Sequence, residues 1–298
     1  MAALPPTFAL PHSFLGLENR APDAKFCVAG IPFDLGTTNR AGARFGPAGI
    51  RAASVMLRDG VHPNSRIDPA SLDLADIGNF DIALGDIAAS YAKIEAQAAE
   101  IGHLLALGGD HGATLPLLRS VRKRLGKPVA LAHFDAHIDT WPTSFGQALG
   151  HGSVFYRAIE EGLVDPTKMI QIGIRSPADP EVWDWTIGKG VTILDAQTVH
   201  ARGPAFVAAE IRRVLGDAPA YLSFDIDALD PAFAPGTGTP EIGGLATWQT
   251  QAILRALGGL NWIGMDVMEV APAYDHAEIT SLAAATIVWE YLALVAVR

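Results

Sequence analysis

The run Pro128-Val129-Ala130-Leu131-Ala132-His133-Phe134 leads straight into Asp135-Ala136-His137-Ile138-Asp139, and this stretch decides how the rest of the chain is read. Val129 to Phe134 is apolar apart from one histidine and is short enough for a buried strand. In an extended chain side chains alternate between faces, so Asp135, His137 and Asp139 project to one side. Two carboxylates and an imidazole crowded there repel one another and desolvate at high cost unless a cation joins them. His133 shares their parity but lies one step back inside the strand. It reads as a histidine supporting the ligands rather than as a ligand itself.

The same design recurs twice. Leu105 to Leu107 runs into Gly108-Gly109-Asp110-His111, and Tyr221-Leu222-Ser223-Phe224 into Asp225-Ile226-Asp227. An Asp-x-Asp at a strand end is usually a turn or a helix cap, so each segment alone is a weak signal. Together they offer His111, Asp135, His137, Asp139, Asp225 and Asp227, which is too much negative charge for one divalent ion but suits two. Paired ions about 3.5–4 Å apart are a recurrent hydrolytic device. Oxygen-rich donors with some imidazole and no thiolate favour Mn²⁺ over structural Zn²⁺, and Ni²⁺ accepts the same set.

Outward from these segments, short apolar strands alternate with helices. Strands are expected at Phe26 to Pro32, Leu72 to Ile77, Gly102 to Leu107, Val129 to Phe134, Met169 to Ile174, Val191 to Leu194, Tyr221 to Phe224 and Trp262 to Val267. Helices are expected from Gly46 to about Arg58, after an Asp86 cap to Ala99, and over Ala113 to Leu125, Ser153 to Gly162, Glu181 to Ile187, Pro204 to Leu215 and Thr247 to Leu257. A final helix begins at Ile279. This alternation predicts an α/β domain with a parallel sheet covered on both faces and a ligand site beyond the carboxyl ends of the strands. One domain over 1–298, with 1–24 as an N-terminal extension, is the expected organisation.

Composition narrows the function. A formal charge of −10 without a long Lys/Arg run speaks against a nucleic-acid partner and is compatible with a cationic small substrate. Cys27 is the only cysteine and lies in an apolar run, so it reads as a buried thiol in a reducing cytoplasm. The N-terminus lacks the pattern of a signal peptide. Ile279 to Val297 is long enough to span a membrane, but Glu290 interrupts it, so a buried helix and no membrane partner are expected.

The three ligand-bearing segments, continued by Ala228-Leu229-Asp230-Pro231, resemble the signature segments of the ureohydrolase family of arginases, agmatinases and relatives. Gly42-Ala43-Arg44-Phe45-Gly46-Pro47, Ala232 to Pro240 and Asp266-Val267-Met268-Glu269-Val270 extend the resemblance over most of the chain after residue 25. It implies a three-layer α/β/α sandwich around an eight-stranded, mostly parallel sheet. The implied reaction is hydrolysis of a guanidino group to urea and an amine, with two Mn²⁺, or Ni²⁺, held by His111, Asp135, His137, Asp139, Asp225 and Asp227. The ions would lower the pKa of a shared water and Asp139 would orient it. His151 resembles the proton shuttle, Glu269 the carboxylate that pairs with the guanidinium, and Thr239 a hydrogen-bonding neighbour of that carboxylate. Relatives are commonly homo-oligomers, trimers or hexamers.

Departures bear on the substrate. Arginases place Asn two residues beyond the third ligand of the central segment, and Ser and Asn shortly before the shuttle histidine; here those places hold Trp141 and Gln147-Ala148-Leu149-Gly150. An amino-acid head group finds few partners among them. Ala234 to Leu245 and Tyr274 to Ser281 look most like agmatinase, yet Ser153-Val154 follows His151-Gly152 where many agmatinases have Thr-Pro or a similar pair. Trp141, Pro142 and Phe145 make the entrance bulky and apolar. An agmatinase-like activity is therefore expected, with guanidino acids, small guanidines or biguanides as alternatives. A single-metal deacetylase and a non-catalytic partner subunit are the competing readings; the full ligand set with His151 and Glu269 argues against both.

Overall fold

In the computed structural model, residues 6–296 are described. The first residues of the expected 1–24 extension, and Val297 of the C-terminal run, lie outside them. Eight strands, β1 (Phe26–Gly30), β2 (Leu74–Asn79), β3 (Leu104–Leu107), β4 (Val129–Phe134), β5 (Val164–Ile174), β6 (Thr192–Asp195), β7 (Ala220–Asp225) and β8 (Trp262–Met268), form one sheet in the order β2-β1-β3-β8-β7-β4-β5-β6. Every neighbouring pair is parallel.

The period of two decides which face each strand residue covers. Ala130, Ala132 and Phe134 of β4 pack into one core with Ile50 of α1 (Gly46–Ser54), Ile211 of α6 (Ala196–Leu215), Ile253 of α7 (Thr247–Arg255) and Val288 of α8 (Ile279–Ala296). The alternate residues Val129 and Leu131 pack into a second core with Ile94 of α2 (Ile87–Ala98), Leu117 of α3 (Thr114–Leu125) and Phe155 of α4 (Val154–Glu160). Helices thus cover both faces of the sheet, giving the expected α/β/α sandwich. A fully buried Leu, Ile or Phe contributes about 1.5–3 kcal/mol, so the two cores hold most of the stability. Phe14, Leu15 and Leu17 of the N-terminal segment are buried in the first core.

Two elements differ from expectation. β5 begins at Val164 rather than Met169, through Asp165, Pro166, Thr167 and Lys168, where three polar side chains and a proline hide an extended segment. α6 begins at Ala196 rather than Pro204, because Asp195 caps its first turn by accepting the Thr198 N–H at 2.7 Å. Gly203, at φ 75°, kinks it just before Pro204.

α8 is long and apolar enough to cross a membrane, yet 78% of its most apolar window is buried within the molecule. Glu290 on this helix is buried and paired with Arg255 and His62.

The topology sets up the site. β3, β8, β7 and β4 are adjacent although far apart in the chain, so their carboxyl ends meet. Phe134 and Phe224 are register partners and stack at 5.1 Å between ring centroids. Asp135 and Asp225 follow directly, which puts both at one level. A slip of one residue would turn these ligands to the opposite face.

Candidate metal centre

All six residues expected to hold metal converge beyond these strand ends. Nδ1 of His111 has no hydrogen-bond partner and faces Asp135 at 3.2 Å, Asp139 at 3.3 Å and Asp225 at 3.1 Å. Nδ1 of His137 faces Asp227 at 3.1 Å and Asp135 at 3.3 Å. Asp135, Asp225 and Asp227 are almost completely buried. Two groupings within metal-binding reach result, one around His111, Asp135 and Asp139, the other around Asp135, His137 and Asp227, with Asp135 common to both. A shared carboxylate is what a pair of neighbouring cations requires.

The electrostatics state the same need. Burial and the neighbouring Asp227 and Asp135 carboxylates hold the Asp225 carboxyl well above its usual range. Burial opposes charge on His111, but Asp135, Asp139 and Asp225 together favour its protonated form strongly. A cation between them would relieve the carboxylate repulsion and take the bare imidazole nitrogen. The donor set fits a pair of divalent ions.

His133 lies within reach of the first grouping. Both its nitrogens are already engaged, however: Nε2 with Asp135 Oδ2 at 2.8 Å and Nδ1 with the Gln171 amide at 3.1 Å. The amide donates to Nδ1, so Nε2 carries the proton and gives it to the carboxylate. His133 therefore orients Asp135, as expected of a supporting histidine. His111 is held likewise: its Nε2 meets the Ser223 hydroxyl at 2.9 Å, which donates to buried Asp266 at 2.7 Å. Arg175 donates to the backbone oxygens of Asp227 at 2.7 Å and Glu241 at 2.6 Å, tying the strand end to the following loop. Ser223, Asp266, Gln171 and Arg175 were not recognised as site residues from sequence. Asp266 alone had a signal, a carboxylate inside an apolar strand.

Glu269 is fully buried at the end of β8. Its Oε1 accepts the His111 N–H and faces Nδ1 of His151, each at 2.9 Å. Oε2 has no partner, and a Cβ added at Gly238 would stand 3.6 Å from it, so the bare glycine leaves space beside that oxygen. One oxygen is thus committed within the protein and the other is buried without a partner; Glu269 itself is not among the residues lining the cavity that opens over the cluster. The Thr239 hydroxyl, expected to form a hydrogen bond beside Glu269, donates to Asp227 at 3.2 Å. Asp139 and Glu269 both have left-handed backbones, φ 47° and 64°, a conformation that costs a non-glycine residue on the order of 1 kcal/mol.

Burial pushes the His151 imidazolium down, but Glu269, with Asp139 and Asp110 behind it, outweighs burial and lifts its pKa to about 9. Asp110 is also buried, and accepts the N–H groups of Gly36 at 2.8 Å and Gly112 at 3.0 Å. Burial and Glu269 raise its pKa to about 7.

A cavity of about 470 Å³ opens over the cluster, lined by His137, Asp139, Asp225 and His151 and by Thr38, Trp141, Phe145 and Ser176 among others. Among the described residues no Lys or Arg lines it. Trp141 and Phe145 stand at its mouth as expected, but the hydroxyls of Thr143 and Ser144 line it too, so the entrance is not wholly apolar. At its rim Ser176 donates to the Glu241 carboxylate at 3.0 Å.

Such a centre, at the carboxyl ends of parallel strands with paired-cation geometry, defines a metal-dependent hydrolase. The sequence profile of the arginase family matches residues 24–293. An agmatinase from Cronobacter sakazakii is 45% identical over 97% of this chain and 92% of its own length. Among solved structures, a hypothetical agmatinase from Burkholderia thailandensis superposes with a TM-score of 0.91 at 43% identity, covering 97% of this chain and 92% of its own. Proclavaminate amidino hydrolase from Streptomyces clavuligerus gives 0.92 at 38%, with 97% and 98% covered. The chain belongs to the arginase family, and is a ureohydrolase acting on guanidino compounds.

Proposed function

We propose that this enzyme hydrolyses agmatine to putrescine and urea, with two Mn²⁺ held by His111, Asp135, His137, Asp139, Asp225 and Asp227. Cations held there would lower the pKa of a water toward neutrality and so supply the nucleophile. Asp139 lines the cavity and orients the attacking water. The unpartnered Oε2 of Glu269 meets the guanidinium, for which a charged hydrogen bond is well suited. His151, protonated at neutral pH, delivers the proton that the departing amine needs.

The observation that carries the choice of substrate is the charge of the cavity. Its lining includes Asp139 and Asp225 and, among the described residues, no Lys or Arg; His137 and His151 are its basic groups, and the Glu241 carboxylate stands beside Ser176 at the rim. A tail ending in an ammonium fits there, and a tail ending in a carboxylate does not. Oxygen-rich donors without thiolate support Mn²⁺ over softer metals. The expected cytoplasmic location is supported by the lone buried Cys27, and the expected homo-oligomer rests on the family resemblance, with light scattering as its test.

The deciding experiment is urea release from agmatine, 4-guanidinobutyrate, 3-guanidinopropionate, arginine, guanidine and biguanides, each with Mn²⁺ and with Ni²⁺. Agmatine with Mn²⁺ should have the highest kcat/KM. A guanidino acid or an uncharged guanidine in first place would overturn the substrate reading, and a higher rate with Ni²⁺ the metal reading.

A further inference from the structure

His151 is held at both ring nitrogens. Nδ1 faces Glu269 at 2.9 Å, and Nε2 faces the Thr38 hydroxyl at 2.7 Å. The imidazole is buried whereas Thr38 is exposed, and both line the cavity. Thr38 lies on the loop after β1, 113 positions from its partner. That loop is pinned firmly: Asp110 takes the Gly36 N–H, the His151 N–H reaches the Gly36 carbonyl at 3.3 Å, and the Asn39 amide donates to Gly238 O at 2.9 Å. Its hydroxyl is therefore placed, not a free surface group.

A carboxylate at Nδ1 keeps a proton on that nitrogen, so Nε2 is the nitrogen that gains and loses one. A hydroxyl suits such a nitrogen because it accepts from the charged ring and donates to the neutral one. We propose that Thr38 is a positioning residue for His151: it holds Nε2 through both protonation states and returns the spent proton from cavity water. Nε2 gives its proton to the amine nitrogen as the carbon–nitrogen bond breaks. The hydroxyl hydrogen of Thr38 then moves to Nε2 while its oxygen takes a proton from a cavity water, whose hydroxide passes to bulk solvent. The net transfer is one proton from solvent to the ring, and Thr38 is unchanged. This rests on His151 being the proton donor proposed above.

The test compares Thr38→Val, Thr38→Ser, His151→Asn and the Thr38→Val/His151→Asn double variant, all metal-loaded and checked by thermal melting. Urea release is measured across the pH range in H₂O and D₂O. Thr38→Val should lower kcat roughly tenfold or more, within the range set by loss of acid catalysis, and should enlarge the solvent isotope effect. KM should stay within about twofold, since no ground-state contact is removed. Thr38→Ser should restore kcat, and in the His151→Asn background Thr38→Val should cost nothing further. Full activity of Thr38→Val beside a disabled His151→Asn would overturn the role of Thr38 alone. An equal loss in both backgrounds, or no recovery with serine, would also overturn it. Wild-type turnover by His151→Asn would instead remove the proton-donor reading, and the inference with it.

Discussion

Buried carboxylates in this molecule are matched on two opposite plans. Glu290, inside α8, receives Arg255 Nε at 3.0 Å, His62 Nε2 at 2.9 Å and the Gln251 amide at 3.2 Å. Asp76, on β2, is likewise gripped by Arg51 through Nε at 2.7 Å and a second guanidinium nitrogen at 2.9 Å. There the chain supplies its own cation. At the metal centre Asp135, Asp139, Asp225 and Asp227 face one another and two histidines, and among the described residues no Lys or Arg side chain pairs with them. A buried charge costs several kcal/mol unless it is matched. Where only structure is needed the match is internal, and where chemistry is done it is left for ions from solution.

The contrast can be broken experimentally, and the largest effect should come from Asp139→Asn. This removes one charge facing the cavity and should lower urea release by roughly 10³-fold, while circular dichroism stays at the wild-type signal. Turnover near wild type would refute the assignment.

Glu290→Ala should act the other way round. It strips Arg255 of its partner and should cost about 3 kcal/mol in chemical denaturation, with kcat per folded molecule unchanged. A stable Glu290→Ala protein would show that the internal pair is dispensable.

Chelation comes next. With ions at about a hundred times their dissociation constant, each bound ion adds about 2.7 kcal/mol. EDTA should therefore lower the calorimetric midpoint by several degrees, reversibly with Mn²⁺, in wild type and Glu290→Ala alike. A midpoint indifferent to EDTA would end the reading of the Asp/His cluster as a cation site.

The smallest effect is in pH. The folded pKa of His151 is raised to about 9, so the stability from its pairing with Glu269 is complete below the ordinary histidine range, near pH 6.5, and is lost as pH rises through 9. The difference in denaturation free energy between wild type and His151→Gln should be constant near pH 6 and shrink toward pH 10. A difference that grows with pH would reverse the assigned sign.

Much of this was legible in the chain. The strands of the ligand-bearing segments are apolar runs, and alternate ligands after a strand follow from the pleat, so Asp135, His137 and Asp139 could be grouped before any fold was known. His133 could be set apart because it lies inside the strand, and the structure shows both its nitrogens engaged. The residues that were hidden act through contacts distant in sequence. Thr38 meets His151 only because β1 and β4 end on the same side of the sheet, and Ser223 meets Asp266 only through the register of β7 with β8. The commitment of one Glu269 oxygen to His111 and His151 had no local signal either. The start of β5 was concealed for another reason: Asp165 to Lys168 lie partly in solvent and need no apolar pattern.

The strand order has a consequence for biosynthesis. The centre draws His111 and Asp135 from β3 and β4, but Asp225 and Glu269 from β7 and β8, which are inserted between them. A chain emerging from the ribosome holds half a cage until its final third has been made and threaded into the middle of the sheet. Chains that stop before Asp227 therefore lack the complete ligand set, and metal capture reports that β7 has been made and placed beside β4.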